Sequence, residues 1–205
     1  MASQQRMDPR VIRTQRLLKN ALFDLLEERE YEQVTVQDIA DQATVKRATF
    51  YLHYSDKQDL VQQCIAELLN ELSESILNQQ DDLPFDFHSG KAHPIFIRMF
   101  QHVSAHFCQY QALLVNNRIP AFSAGLLDVL HHFISEGINR TEPDDSNLSA
   151  RRDVVIKYVE SAFLEIIIWW VENQMPYPEE EMAEMLMNLS IMGPYRMRPD
   201  GIMQP

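Results

Sequence analysis

The sequence predicts an all-α protein, with an N-terminal three-helix head that contains a helix-turn-helix and a larger C-terminal helical domain. Three observations lead to this fold class. Only five of the 205 residues are Gly, residues that favour helices are plentiful, and apolar side chains recur every three or four residues over long stretches. We place the head at 10–55, followed by the start of a connecting helix up to about residue 70. The C-terminal domain then covers 56–192, and a flexible tail covers 193–205.

The first helix is predicted over about 10–28. Leucine and alanine recur there at helical spacing and give it one apolar face, made of Leu17, Leu18, Ala21, Leu22, Leu25 and Leu26. After a short connection, Thr35 is a favourable N-cap, and Asp38 stands three residues on, as a capping box requires. The second helix therefore begins at residue 36.

A tight turn and a short third helix follow. The third helix carries Lys46, Arg47, Thr49, Tyr51 and His53, whose cations and hydrogen-bond donors suit phosphates and base edges. We expect the apolar ring of Phe50 to anchor this helix to the core.

This part of the chain resembles the DNA-binding domain of the TetR/AcrR family of bacterial repressors over roughly residues 10–70. The residues that carry the resemblance are Thr35-Val36-x-Asp38-Ile39-Ala40, Val45-x-Arg47-Ala48-Thr49-Phe50-Tyr51-x-His53-Tyr54 and Lys57-x-Asp59-Leu60. Thr44 departs from the pattern, because the family usually has Gly in this turn. A non-Gly residue with positive φ costs roughly 1 kcal/mol, so the turn is either strained or built differently here.

The resemblance implies sequence-specific binding to double-stranded operator DNA through the third helix. We expect Arg47, Thr49 and Tyr51 to carry most of the binding, with Lys46 and His53 helping. Phosphate contacts position such a helix and base-edge contacts select the sequence. We also expect Thr35 and Lys57 to contact phosphates from helix N-termini.

The net charge of −12 is unevenly distributed, which reconciles it with DNA binding. Residues 1–60 hold nine Lys or Arg against ten Asp or Glu, whereas residues 61–205 hold nine against twenty. DNA binding needs a local basic face and not a basic protein. The acidic remainder either serves solubility or favours a cationic ligand.

Further helices are predicted along the rest of the chain, separated by polar segments that contain Pro. The predicted helices cover about 56–79, 94–107, 109–117, 120–139, 149–174 and 178–191, and the predicted loops cover 80–93 and 140–148.

The last two helices are predicted to pair with those of a second subunit. Residues 154–171 are apolar on nearly all sides, so the helix they form must bury more than one face. The segment from Trp169 to Ala183 also resembles the C-terminal end of many Gram-positive members of the family, and this resemblance implies a four-helix bundle in a homodimer. The predicted interface consists of Ile166, Trp170, Met182, Met185, Leu186 and Leu189.

An effector pocket is predicted between the helices at 94–139 and 149–174, because a ligand site wants an apolar wall with few polar groups. Its expected lining is Phe96, Phe100, Phe107, Phe122, Tyr158, Glu165 and Trp169. Core packing alone is an alternative for the aromatic residues. Glu165 has three alternatives: it pairs with an Arg, reaches solvent at the bundle edge, or faces a cationic effector. The excess of acid favours a cationic or neutral lipophilic effector.

Other function classes find little support. His102 and His106 stand four residues apart near Cys108, with His93, His131 and His132 as further candidates, but this spacing alone is weak evidence for a metal, and we expect no metal site and no cofactor. Motifs of phosphate-binding loops, zinc proteases and serine hydrolases are missing from the sequence, so we expect no enzyme. We read Cys64 and Cys108 as reduced thiols of a cytoplasmic protein. The most apolar run is too short to span a membrane.

The sequence therefore predicts a DNA-binding transcriptional regulator, a repressor released from operator DNA by an unknown small-molecule effector. The C-terminal domain is then the ligand-binding and dimerisation domain. The alternative is an adaptor or regulator with the same head, controlled by protein partners or by metal or haem.

Overall fold

The computed structural model describes residues 8–77, 92–141, 143–146 and 148–193. Every regular element within these ranges is helical, so the predicted all-α fold class is confirmed. The α-helices are α1 Pro9–Glu28, α2 Val36–Gln42, α3 Arg47–Phe50, α4 Lys57–Leu77, α5 Pro94–Ala105, α6 Phe107–Tyr110, α7 Pro120–Thr141, α8 Arg152–Glu172 and α9 Glu179–Met192. A 3₁₀ turn covers Tyr31–Gln33 and a π-helical segment covers Gln111–Asn116. The predicted loop at 80–93 and tail at 193–205 lie almost wholly outside the described residues.

The chain forms two compact units. The first comprises Met1–Leu68 and Cys108–Ala121, and the second comprises Leu69–Phe107 and Phe122–Pro205. Helix α4 contributes residues to both units. The domain limits predicted from the sequence stay a prediction.

In the first unit, α1 begins at a capped end and buries one face. The side chain of Asp8 accepts a hydrogen bond from the Arg10 amide at 2.9 Å, and Pro9 occupies the first turn, where its missing N–H costs nothing. The apolar face is buried as predicted except at its edge, where Leu17 remains 38% exposed. The buried residues of α1 are Leu18, Ala21, Leu22, Leu25 and Leu26.

The turn between α2 and α3 is a Schellman motif. The Thr44 amide donates to the Asp41 carbonyl at 3.0 Å, and the Val45 amide donates to the Ala40 carbonyl at 2.9 Å. This pair of bonds requires a left-handed residue after the helix, and Thr44 has φ = 57°. Of the two alternatives for this turn, the structure therefore has the strained one, with Thr where Gly would fit without cost.

In the second unit, aromatic rings from α5, α7 and α8 pack on one another. The rings of Phe96, Phe133 and Phe163 form one cluster with centroids 5.5–6.1 Å apart. A second contact joins Phe100 and Trp170 edge to face at 5.1 Å, and α5 also packs against α9. Such edge-to-face pairs stabilise beyond their buried area by about 0.5–1.5 kcal/mol.

Candidate nucleic-acid interface

Helix α3 is fixed to the first unit by two aromatic residues on one side. Phe50 and Tyr54 are 0% and 1% exposed, and their rings lie 5.7 Å apart. Backbone bonds from the His53 and Tyr54 amides to the Phe50 carbonyl, at 2.9 and 3.0 Å, continue the helical path past the end of α3. The side chains on the opposite side of this element are therefore held in place but left free to contact a ligand.

Arg47 and Tyr51 form a pair on the outer side of α3. Arg47 Nη2 donates to the Tyr51 hydroxyl at 3.2 Å, and the guanidinium carbon lies 5.7 Å from the Tyr51 ring centroid. Both residues are exposed. Their four-residue separation places them in one row of the helix, so two groups that can donate to phosphates or base edges are presented together.

The remaining predicted residues of the third helix lie beside this pair. Lys46 is the N-cap of α3 and is exposed, whereas Thr49 and His53 are half-buried. The structure thus brings all five predicted contacts of the third helix onto a single short element.

Lys57, predicted to contact a phosphate, is bound within the first unit. Its ammonium donates to the carbonyls of Tyr31 at 2.6 Å, Val34 at 2.7 Å and Glu32 at 3.3 Å, which uses all three of its donors. The same ammonium lies 4.3 Å from the Tyr31 ring centroid. Lys57 therefore fastens the connector between α1 and α2, and we assign it no DNA contact.

Thr35 is also occupied by its own helix. Its hydroxyl donates to Asp38 Oδ2 at 2.6 Å and accepts from the Asp38 amide at 3.2 Å, while its backbone amide donates to the same carboxylate at 2.9 Å. These hydrogen bonds from Thr35 lower the pKa of Asp38. The capping box predicted from the sequence is formed and the Thr35 hydroxyl proton is donated within it, while the phosphate contact of Thr35 stays a prediction.

Asn117 is a positioning residue that the sequence did not reveal. Its Oδ1 accepts from the Tyr31 amide at 2.7 Å, and its Nδ2 donates to the carbonyls of Leu26 at 3.1 Å and Ala112 at 2.9 Å. It holds the end of α1 and the same connector that Lys57 holds. No local pattern identifies it, because its partners in the head are far away in sequence.

Two family models match the chain. One, described as bacterial regulatory proteins of the tetR family, matches residues 19–64, and one described as a transcriptional regulator C-terminal region matches residues 90–191. The chain belongs to the TetR family of bacterial transcriptional regulators. The regulators of this family bind DNA, act as dimers and are not enzymes.

Curated relatives resemble the chain over the DNA-binding part. An uncharacterised HTH-type regulator, YxbF of Bacillus subtilis, is 37% identical over 75 residues, which are 34% of this chain and 20% of the relative. The dhaKLM operon activator DhaS of Lactococcus lactis is 33% identical over 65 residues, 30% of this chain and 35% of the relative. The matches thus span about a fifth and a third of these relatives.

A solved TetR-family structure shares the fold over most of the chain. The regulator FadR of Bacillus subtilis, solved in complex with stearoyl-CoA, superposes with a TM-score of 0.66 at 18% identity, covering 87% of this chain and 98% of FadR.

The predicted effector pocket of this TetR-family protein is not formed by the seven residues expected to line it. Phe100 and Phe122 are 0% exposed in the core of the second unit, and Phe96 and Phe107 are half-buried. The other three, Tyr158, Glu165 and Trp169, are exposed on the outer side of α8. Phe96 and Phe100 pack against other aromatic rings of the second unit, which is the core-packing alternative given for them above.

Glu165 lies on the exposed side of α8, in line with the alternative that it reaches solvent. It borders an open concavity together with Val154, Lys157, Tyr158, Ser161, Ala162 and Asp153. The acid that α8 buries is Glu160, 5% exposed, which accepts from Lys157 Nζ at 2.8 Å and lies 2.9 Å from His131 Nδ1. Burial is the largest single influence on the pKa of Glu160 and raises it, but the hydrogen bonds and positive charges of Lys157 and His131 together outweigh burial, so the pKa is lowered.

The predicted dimer residues divide into buried and exposed sets. Trp170, Met182 and Leu186 are only 1–3% exposed within a single chain, so they face the core of their own unit. Trp170 Nε1 donates to the Tyr177 carbonyl at 3.0 Å. Ile166 and Met185 are half-buried and Leu189 is 43% exposed. The buried three therefore have little surface left for a partner within a single chain, and the interface as a whole stays a prediction.

The described ranges hold no group of three or more His, Cys, Asp or Glu residues that could bind a metal ion. His102 and His106 lie with ring centroids 4.5 Å apart, and His106 Nε2 is 3.3 Å from the Glu71 carboxylate. None of the helices in the described ranges is long and apolar enough to cross a membrane.

We expect Lys57→Met and Lys46→Met to affect different measurements. Lys57→Met leaves three connector carbonyls without their donor, so it should lower the free energy of unfolding by about 1–3 kcal/mol. In Lys57→Met, the slope of log operator affinity against log salt concentration should stay as in the wild-type protein. Lys46→Met removes an exposed cation that we expect to contact a phosphate, so it should flatten that slope by about one and leave unfolding unchanged.

Denaturant unfolding and operator titrations at several salt concentrations measure both effects. If Lys57→Met flattens the slope and leaves the free energy of unfolding unchanged, Lys57 contacts a phosphate as the sequence predicted.

Proposed function

We propose that this TetR-family protein is a dimeric repressor that reads operator DNA through α3 and leaves it when a small-molecule effector binds the second unit. The observation that carries the proposal is the exposed Arg47–Tyr51 pair on an element fixed from behind by Phe50. Rigid support of this kind is what a specific contact needs, since a loosely held side chain loses its rotamer entropy on binding.

The DNA contact is divided between two kinds of group. Arg47, Tyr51 and Thr49 can reach base edges in the major groove, whereas Lys46 and His53 are placed for the flanking phosphates. Two copies related by a twofold axis would present their α3 helices to successive major grooves, about 34–36 Å apart. An operator with inverted half-sites follows from that symmetry.

Arg47→Ala and Tyr51→Ala should each weaken binding to an operator selected from random duplex DNA. The loss of a base-edge or phosphate contact corresponds to about 1–3 kcal/mol, roughly fivefold to 150-fold in affinity. Thermal stability should change little, since both side chains are exposed. Fluorescence anisotropy measures the affinity, and Arg151→Ala, which removes an exposed Arg of the second unit, serves as the control. Wild-type affinity in both variants would show that α3 is not the reading element.

The outer side of α8 is the surface we propose for the twofold contact. Val154, Tyr158 and Trp169 are 54%, 65% and 44% exposed there, and Ala162 lies between them in the same helical row. On α9, Leu189 is exposed as well. Large apolar side chains that stay exposed on the surface of a single chain are typical of a protein interface.

Tyr158→Asp should convert the dimer to monomer, because it places a charge in the proposed apolar contact. Operator affinity should fall with it, since a monomer reads one half-site. Trp170→Phe is the matched control on the inner side of α8. It loses the bond to the Tyr177 carbonyl and some packing, so stability should fall by about 1–2 kcal/mol while the dimer persists. Analytical ultracentrifugation and denaturant unfolding measure the two outcomes. A dimeric Tyr158→Asp protein would move the interface elsewhere.

The effector is proposed to act on the second unit and to reach the DNA contact through α4, which runs through both units without a break. FadR binds an acyl-CoA, and an apolar ligand also suits the aromatic interior of this unit. The excess of Asp and Glu after residue 60 favours a cationic or neutral compound. An effector can shift the protein only through its different affinity for the two states. DhaS is an activator, so a promoter-reporter assay is the measurement that tests the repressor part of the proposal.

Tetraphenylphosphonium and tetraphenylborate test the charge of the effector, because they have nearly the same size and opposite charge. The cation should bind the protein more tightly than the anion and lower operator affinity more strongly, since carboxylates prevail in the second unit. Calorimetric titration gives the two affinities, and anisotropy of labelled operator gives the release. Stronger binding and release by the borate would contradict the proposed charge preference.

A further inference from the structure

An apolar ridge runs along the outermost side of the recognition element. Phe50 and Tyr54 point inward, and residues two positions from Phe50 lie about 200° around the helix from it. Those residues are Ala48 and Leu52, which therefore point directly away from the core. Ala48 is exposed and Leu52 is 81% exposed, well above the 47% of Tyr51. Leu52 follows α3 in a turn, where its amide donates to the Thr49 carbonyl at 3.2 Å.

Polar rows flank the ridge on both sides. Arg47 and Tyr51 lie on one side, and Thr49 and His53 lie on the other, each pair separated by one turn. A single exposed Leu needs no explanation on an ordinary surface. Here, however, the apolar row is central and the polar rows are lateral, so the side chains that project furthest toward a bound surface are the ones that cannot donate or accept a hydrogen bond.

The floor of the DNA major groove offers one apolar group to such a ridge. Thymine carries a C5-methyl there, whereas the other bases present only hydrogen-bond donors and acceptors to a protein side chain. A Leu side chain that faced a cytosine or a purine edge would desolvate a polar group without pairing it, which is unfavourable. A thymine methyl instead gains by being buried against the ridge.

We propose that Leu52, with Ala48 beside it, selects thymine in each half-site by packing against its C5-methyl group. This inference rests on the proposed placement of α3 in the major groove and adds a residue that none of the predicted contacts includes. In this arrangement the polar rows contact phosphates and base edges, and the apolar ridge contacts the thymine C5-methyl group.

Uracil in place of thymine tests the inference, since it removes only the methyl and keeps base pairing. An operator is selected from random duplex DNA with the wild-type protein, and each thymine of one half-site is then replaced by uracil in turn. Anisotropy titrations should find one or two thymines whose replacement weakens wild-type binding about threefold to tenfold. At those positions, Leu52→Ala should bind thymine and uracil operators equally and about as weakly as wild type binds uracil.

Two further variants keep the outcome decisive. Leu52→Met preserves an apolar side chain of similar reach and should retain part of the methyl preference. Arg47→Ala should lose overall affinity and keep the full thymine-to-uracil ratio. Circular dichroism on every variant confirms that the head is folded, which is expected because Leu52 contributes little to the core.

The inference is overturned if the effects of Leu52→Ala and of the thymine-to-uracil replacement are additive, so that Leu52→Ala still prefers thymine over uracil by the wild-type ratio. Indifference of the wild type to every uracil replacement overturns it as well. Failure of the proposed DNA contact looks different, because the wild-type protein would then select no operator at all.

Discussion

The first unit depends on how the connector between α1 and α2 is held. Residues 31–34 turn the chain between two helices, and among their carbonyls that of Tyr31 accepts a backbone bond from the Val34 amide at 3.2 Å. The Lys57 ammonium binds three of those carbonyls, and the Asn117 amide binds the Tyr31 N–H and the Leu26 carbonyl. We expect the bonds of the Lys57 ammonium together to contribute about 1–3 kcal/mol to the free energy of unfolding. The position of α2, and of α3 packed on it, follows from these bonds.

With its support fixed, α3 can present two different chemistries on its free side. The polar rows are suited to phosphates and base edges, and the ridge of Ala48 and Leu52 is suited to a methyl group. Helix α8 likewise has two different sides. Trp170 is buried in the core of the second unit, and Trp169 is exposed. One helix therefore fills the core of its own unit and leaves apolar side chains exposed on the surface that we propose for contact with a second copy.

Much of the first unit was determined by the sequence itself, because its signals are local. The apolar stripe of α1, the capping box of Thr35 and Asp38, and the row of donors in the third helix each act over three or four residues. The family pattern adds fixed spacings between them. At Thr44 the sequence left two alternatives open, and the structure decided between them, since a Schellman turn needs a left-handed residue whichever side chain supplies it.

Only the tertiary structure decided which partner each polar group takes and which side of α8 is buried. Lys57 looked like a phosphate contact, but the carbonyls it binds come from more than twenty residues earlier in the chain. Asn117 had no signal at all for the same reason. Helix α8 is apolar on nearly all sides, so the spacing of its apolar residues does not show which side is buried. The sequence therefore could not distinguish the buried Trp170 from the exposed Trp169, or the buried Glu160 from the exposed Glu165. The residues of an amphipathic helix show which of its sides is buried. In a uniformly apolar helix, the buried side is decided by the elements that pack against it.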